Sequence, residues 1–298
     1  MLKIQVPATS ANLGAGFDSL GLSLNLYNEV YLEESEGIRI ESMDDTEIPL
    51  DERNLIYQSI KRMYDICGRP FPGMHIRQKN RIPMTRGLGS SSACIIGGIV
   101  GANELLGRPF ATDDLVNMAA YIEGHPDNTT PALLGGIVTA VFDTQLVHWV
   151  KQEVQGQLKF FALIPDFELK TEVARECLPK QITHKDAVFN LSRAALFSAS
   201  LLSGKYENLR VAVDDRLHQP YRFKLIRHSG EVLDACYALG AYAAYMSGAG
   251  PTIMAIVDPE CTLFGLQIRR ELDELGLTGW EVKELAIDNL GAQVCAVE

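Results

Sequence analysis

The sequence predicts an α+β protein built as two domains. Three observations predict it: 298 residues suffice for two cores, strand-length and helix-length apolar patterns alternate along the chain, and the composition turns polar over residues 150–157, around Gly156. The expected division is therefore 1–155 and 156–298.

Residues 2–6 alternate apolar and polar side chains as a strand does, and Pro7 is expected to end it. A polar, glycine-bearing loop follows to Asp18. Asn12 and Asp18 flank a turn that can bring an amide and a carboxylate to one pocket wall, although a self-stabilising Asx turn explains Asn12 equally. The apolar-rich residues 20–26 and the strand-like 28–33 and 37–41 lead to an acidic loop, 44–47, that reads as solvated surface. After Asn54, residues Leu55, Ile56, Ile60, Met63 and Tyr64 share one helical face, and that helix should stop near Gly68. Residues 74–79 form the next strand.

The run from Arg81 to Ala93 is a loop that turns into a helix. Pro83, Gly87 and Gly89 cannot continue a regular element, whereas small and apolar residues run on from Ala93 to Leu106. A helix start presents unpaired N–H groups and the positive end of the helix dipole, so anions bind there. Gly87 and Gly89 let a polyphosphate approach the main chain, and Ser90, Ser91 and Ser92 offer hydroxyls that can cap the helix or reach a metal ion. No lysine follows Gly89, so this is not a P-loop. Charge must then be offset by main-chain donors and a magnesium ion. By itself, the run is explained as well by a serine N-cap after an ordinary glycine turn.

Thr112, Asp113 and Asp114 open a helix that reaches Glu123, where residues 123–128 break it. Two carboxylates, Glu123 and Asp127, meet the imidazole of His125 and the amide of Asn128 there. Magnesium takes one or two carboxylates plus substrate phosphates, so Glu123 or Asp127 can complete a site begun by a loop serine. A helix C-terminal turn with a proline stop is the plainer alternative, with His125 structural. Neither His-x-x-x-His nor Glu-x-x-His occurs, which argues against a catalytic zinc.

Residues 137–142 and 158–164 are expected strands, the second stopped by Pro165. Residues 171–178 look helical, with Thr171 and Arg175 one turn apart on one face. Residues 186–203, carrying Arg193, and 211–216 are further expected helices, and 219–222 a loop. Arg175, Arg193 and Arg222 are candidates for a carboxylate clamp, because guanidinium grips a carboxylate with two parallel hydrogen bonds. A helix at 231–244, a small-residue loop at 245–252, a strand at 253–257, a helix at 260–275 and strands at 281–287 and 293–297 complete the alternation.

The net charge of −11 argues against nucleic acid or an acidic membrane as partner. Six cysteines are scattered without Cys-x-x-Cys, as expected of reduced thiols in the cytoplasm. The first residues lack an apolar signal core, and no apolar run reaches the ~18 residues that span a bilayer. A homodimer is expected only from general frequency.

Three separated stretches together are similar to the motifs of the small-molecule kinases named for galactokinase, homoserine, mevalonate and phosphomevalonate kinases (GHMP). They are Pro7-Ala-Thr-Ser-Ala-Asn-Leu-Gly-Ala-Gly-Phe-Asp18, the loop from Pro83 to Ala93, and Ser247-Gly-Ala-Gly-Pro-Thr252. Within that superfamily the first stretch and Glu123-Gly-His-Pro-Asp-Asn128 resemble the homoserine kinases most closely. The resemblance implies a two-domain GHMP kinase fold: an N-terminal ATP-binding domain like the second domain of ribosomal protein S5, a C-terminal ferredoxin-like α/β sandwich, and the active site between them. It also implies ATP-dependent phosphorylation of the side-chain hydroxyl of L-homoserine to O-phospho-L-homoserine, for threonine biosynthesis.

By the same resemblance Met84, Thr85, Arg86, Gly87, Leu88, Gly89, Ser90, Ser91, Ser92, Ala93 and Cys94 wrap the triphosphate, with Asn54 near the adenine. Ser91 and Glu123 hold Mg2+. Asn12, Asp18, His125, Asn128, Thr171, Arg175 and Arg222 line the amino-acid site, the two arginines facing its carboxylate and Asp18 its ammonium, with Arg193 a second-choice contact. No strong general base is expected: Asn128 orients the attacking hydroxyl, and Asp127 is the alternative base. Ala15, Ser92 and Thr129-Thr130 depart from the usual proline, alanine and Val-Ala of the family. A sibling kinase for mevalonate, shikimate or a sugar is the nearest rival. A non-catalytic nucleotide sensor on the same fold is the rival of another class, opposed by the intact Ser91 and Glu123.

Overall fold

The computed structural model describes residues 1–152, 154 and 158–295. The chain begins with strands β1 (Leu2–Ala11), β2 (Leu20–Glu34) and β3 (Gly37–Ser42), helix α1 (Leu55–Ile66) and strand β4 (Gly73–Lys79). Helices α2 (Ser90–Leu105), α3 (Thr112–Glu123) and α4 (Pro126–Leu134) follow, then the hairpin β5 (Ile137–Asp143) and β6 (Leu146–Gln152). The remainder comprises β7 (Lys159–Ile164), α5 (Thr171–Glu176), α6 (His184–Ser203), α7 (Leu209–Ala212), α8 (Gln219–Arg222) and α9 (Ser229–Ala238). It ends with β8 (Ala243–Met246), β9 (Ile253–Val257), α10 (Phe264–Glu274), β10 (Glu281–Leu285) and β11 (Gln293–Cys295).

Two sheets organise these elements. Seven strands form the first, in the order β11-β1-β2-β4-β3, with β5 also paired to β2 and β6 beyond β5; four form the second, β10-β7-β9-β8. The expected boundary at 155/156 lies outside the described residues. The last strand, β11, returns to the first sheet by pairing Lys3 with Cys295, so the closing segment staples the two halves together. Helix α2 is buried along most of its length among α1, α3, α4 and β1, which explains its small, unbroken apolar sequence. No described helix is long and apolar enough to cross a membrane, and all six cysteines are unpaired.

Several elements differ from the sequence expectation. Strand β1 passes through Pro7 to Ala11, because a bulge falls at Pro7/Ala8 and β11 pairs only with Lys3, Ile4 and Gln5. The missing proline N–H therefore interrupts no second ladder. The apolar 20–26 and the polar 28–33 are one long strand, β2. Helix α2 starts at Ser90 rather than Ala93, since Gly89 takes the left-handed conformation (φ 73°) that sets the N-cap. The supposed loop after Gly124 is helix α4, opened by Pro126 at its first position, where a proline loses no intrahelical bond.

In the second half, the alanine-rich 231–244 is not one helix. Gly240 (φ 88°) stops α9, and residues from Ala243 enter the buried strand β8. The helix expected at 211–216 is only α7, because the Asp215 carboxylate accepts the amides of Leu217, His218 and Gln219 and turns the chain. Residues 219–222 form helix α8 rather than a loop.

Candidate active site

Strand β1 delivers the first wall. After Ala11 the chain bends through Asn12 (φ 68°) and Leu13 (φ 45°), and Asn12 Oδ1 accepts the Asp18 amide at 3.0 Å. The side chain therefore spans six residues rather than the two of an Asx turn, and it does a second job. Asn12 Nδ2 donates to the Gly248 carbonyl at 2.9 Å, joining the first turn to the small-residue loop after β8.

That later loop also grips the glycine–serine segment. Ser247 Oγ donates to the Gly87 carbonyl at 2.6 Å and lies 2.8 Å from Ser10 Oγ, whose hydroxyl it can accept. Gly87 (φ 74°) must be glycine here, since a Cβ would sit 2.3 Å from the Ser247 carbonyl oxygen. Arg86 reaches the other way: its guanidinium donates to the carbonyls of Pro165 (2.9 Å) and Asp166 (3.1 Å) and bolts the loop to the second half of the chain.

At the helix start, no side chain caps α2. Ser91 and Ser92 instead donate to opposite oxygens of Glu123, at 3.1 and 3.2 Å, across the α2–α3 contact. The amides of the first helical turn are thereby left to a ligand. Ser91, Ser92 and Glu123 are hard oxygen donors beside that anion site, which suits Mg2+. The cluster of Asp18, His125 and Asp127, whose candidate ligand atoms lie within 4.8 Å of one another, suits it less. Arg175 already pairs with Asp18, and His125 with Asp127. Cys94 is half-buried near Glu123; loss of solvent around the thiol, with the nearby charge of Glu123, pushes it up to about 12, so it stays protonated.

Helix α4 supplies the third wall. His125 Nδ1 lies 2.6 Å from Asp127 Oδ1. Burial opposes imidazole protonation, but the hydrogen bond and charge of Asp127, with Asp18 and Glu123 beyond, hold the His125 pKa above its ordinary value. Asp127 is almost fully buried and its Oδ1 is committed to that bond. Asn128 Oδ1 accepts the Thr9 hydroxyl at 2.7 Å.

The fourth wall is cationic. Arg175, on α5, forms a two-pronged pair with Asp18 at 2.9 and 3.3 Å. Arg222, on α8, is 1% exposed; its Nε donates to the Ala174 carbonyl (2.9 Å) and its Nη1 to the Gly248 carbonyl (3.0 Å). Burial, then the nearby Arg175 charge, lowers the Arg222 pKa. His218 Nε2 meets the Gly14 carbonyl at 2.7 Å and its Nδ1 faces Arg222 Nη1 at 3.3 Å, so a neutral ring accepts from the arginine. Burial lowers the His218 pKa and keeps it neutral. Asp215, tied to Asn190 Nδ2 at 2.6 Å, anchors the turn that carries it.

These walls form one open cleft lined by every expected substrate residue: Asn12, Asp18, His125, Asn128, Thr171, Arg175 and Arg222. Asp127, Glu123 and, from the loop, Thr85, Arg86, Gly87, Gly89, Ser90, Ser91 and Ser92 line it too. Met84, Leu88, Ala93 and Cys94 do not: Leu88 and Ala93 are core residues, and the Leu88 carbonyl accepts the Thr9 amide. Asn54 is not in the cleft either. Its Oδ1 caps α1 at Ile56 and its Nδ2 donates to Pro49 and Gln78, so its side chain is committed. Arg193 stacks on Phe189 at 3.2 Å and stays outside.

Thr9, Ser10, Asn190, Asp215 and His218 escaped sequence reasoning. Thr9 and Ser10 sit inside the first motif, the one signal that could have flagged them; the other three carry no local pattern. Of the departures, Ser92 gains a bond to Glu123, the Ala15 carbonyl accepts Asn190 Nδ2, and buried Thr130 Oγ1 has no partner among the described residues.

A family model described as "GHMP kinases N terminal domain" matches residues 54–136, and "GHMP kinases C terminal" matches 197–260. The chain is 49% identical to a homoserine kinase of Clostridium beijerinckii, over 99% of this chain and 98% of that protein. It superposes on the crystal structure of homoserine kinase from Cytophaga hutchinsonii with a TM-score of 0.89 at 30% identity, covering 99% of this chain and 97% of that one. A putative homoserine kinase structure from Listeria monocytogenes gives 0.84 at 33% identity, with both chains covered completely (100% and 100%).

Proposed function

The chain belongs to the homoserine kinases of the GHMP kinase family, and from that membership and its cleft we propose that it transfers the terminal phosphoryl group of ATP to the side-chain hydroxyl of L-homoserine. One observation carries the reading. A free helix start at Ser90–Leu105 opens into the same cleft as a carboxylate, Asp18, and two guanidiniums, Arg175 and Arg222. The first half suits a polyphosphate and the second suits a zwitterion. A sugar or mevalonate needs no such paired charges.

In this reading the Asp18–Arg175 pair opens to receive the substrate, Asp18 taking the ammonium while Arg175 and the fixed Arg222 take the carboxylate. Asn12 keeps Asp18 aimed by holding its amide. Ser91 and Glu123 hold Mg2+, with Ser92 orienting the carboxylate. The ion supplies charge neutralisation to the triphosphate. Transfer of this kind needs in-line placement and a cradle for developing charge more than it needs covalent help. Asn128 orients the attacking hydroxyl, whose proton leaves through a phosphate oxygen. Asp127 is not assigned as the base, because its Oδ1 is committed to His125 Nδ1 at the cleft wall. A cytoplasmic location, supported by the unpaired cysteines, and a homodimeric assembly, supported by general frequency, complete the proposal.

A coupled ADP-release assay with magnesium over L-homoserine, mevalonate, shikimate, galactose and L-threonine tests it. L-Homoserine is expected to give the dominant rate. ADP release from another alcohol, with none from L-homoserine above the ATP-only background, overturns the assignment.

A further inference from the structure

We propose that Thr9 is a positioning residue that holds the Asn128 amide in the orientation that faces the substrate. The inference rests on the reading that Asn128 orients the attacking hydroxyl. Thr9 lies inside β1, fully buried, with its backbone paired to Ser23 of β2 and its amide donated to the Leu88 carbonyl of the glycine–serine loop at 3.1 Å. Its hydroxyl makes one hydrogen bond among the described residues, to Asn128 Oδ1 at 2.7 Å, 119 positions away in sequence. Gly89 closes over it so tightly that a Cβ there would lie 1.9 Å from Thr9 Oγ1. The hydroxyl is therefore held by the sheet on one side and by the phosphate loop on the other.

A carboxamide turns about its terminal torsion unless a neighbour anchors it. The Thr9 hydroxyl is that anchor, through its bond to Oδ1. With Oδ1 turned toward Thr9, Asn128 presents its NH2 group to the cleft, a group that donates and cannot take a proton. A substrate hydroxyl that accepts from Nδ2 keeps a second lone pair for attack and its own hydrogen free to point at a phosphate oxygen. Thr9 thus ties the loop that binds the anion to the side chain that aims the nucleophile.

The test uses the full-length enzyme with Thr9→Val, which keeps the shape and deletes the hydroxyl, Thr9→Ser, which keeps the hydroxyl, Asn128→Ala, and the Thr9→Val/Asn128→Ala double variant. Misaiming a reacting group costs up to about 100-fold. Thr9→Val is expected to lower kcat by about 10- to 100-fold while KM for both substrates stays within about threefold. Thr9→Ser is expected to recover most of kcat, and Thr9→Val should cost nothing further in the Asn128→Ala background. A full kcat in Thr9→Val, a Thr9→Ser as impaired as Thr9→Val, or equal losses in both backgrounds overturns the inference. If Asn128→Ala abolishes turnover while Thr9→Val does not change it, only the role of Thr9 fails. If Asn128→Ala leaves kcat intact, the role of Asn128 fails and takes that of Thr9 with it.

Discussion

Asp127→Asn separates a catalytic base from a positioning carboxylate, because the two roles predict losses of different size. Asparagine at this position keeps an oxygen in reach of His125 Nδ1, now 2.6 Å from Asp127 Oδ1, and removes only the charge. A hydrogen bond to a charged partner is worth ~2 kcal/mol and a neutral one ~1 kcal/mol, so the exchange loses about 1 kcal/mol. Both groups are largely screened from water, their side chains being 16% and 2% exposed, so little of that is discounted for solvent. If all of it is expressed in the transition state, turnover falls roughly fivefold, since ~1.4 kcal/mol is tenfold. Loss of an essential general base costs about 100- to 10,000-fold. Single-turnover kinetics at saturating ATP and L-homoserine measure the difference. The pH profile adds a second readout: without the carboxylate, the His125 titration moves down toward the ordinary imidazole range. A loss beyond about 100-fold in correctly folded protein would refute the reasoning and make Asp127 the base.

Three other outcomes follow from the same geometry. Gly87→Ala places a Cβ 2.3 Å from a backbone oxygen at a positive φ, so about 2–4 kcal/mol of strain and overpacking is expected, seen as a fall in melting temperature together with a raised KM for ATP. Ser91→Ala is expected to weaken magnesium activation strongly and Ser92→Ala only a few-fold, because both serines hold Glu123 but Ser91 is the assigned ligand; a Mg2+ titration of ATP binding by calorimetry checks the order. The His125 pKa is raised in the folded protein, so its stabilising contribution is fully present below the unfolded value near 6.5 and is lost as pH rises through the folded value. Melting temperatures of the parent and His125→Gln should therefore differ more at acid than at alkaline pH, and an unchanged difference contradicts the pairing with Asp127.

The sequence by itself determined the features that one short stretch can encode. Gly87 and Gly89 announced a loop opening a helix, Asn54 preceded an amphipathic run and does cap it, and the alternation of residues 2–6 made a strand. The motifs singled out Asn12, Asp18, Ser91, Glu123, His125 and Asn128, and all six line the cleft. Local backbone rules misled where packing outweighed them: Pro7 sits inside β1, Pro126 starts a helix instead of ending one, and the alanine-rich stretch after Gly240 becomes a buried strand.

Only the tertiary structure decided which groups meet. Asp18 pairs with Arg175 across 157 positions, Ser247 with Ser10 across 237, and Thr9 with Asn128 across 119. Asn190, Asp215 and His218, which support Arg222 from behind, have no shared spacing at all. Such partners are chosen by the closing of two sheets over one cleft, where a buried polar group left without a mate costs stability. The chain order states which groups are available, while the distances that make them act are properties of the packed whole.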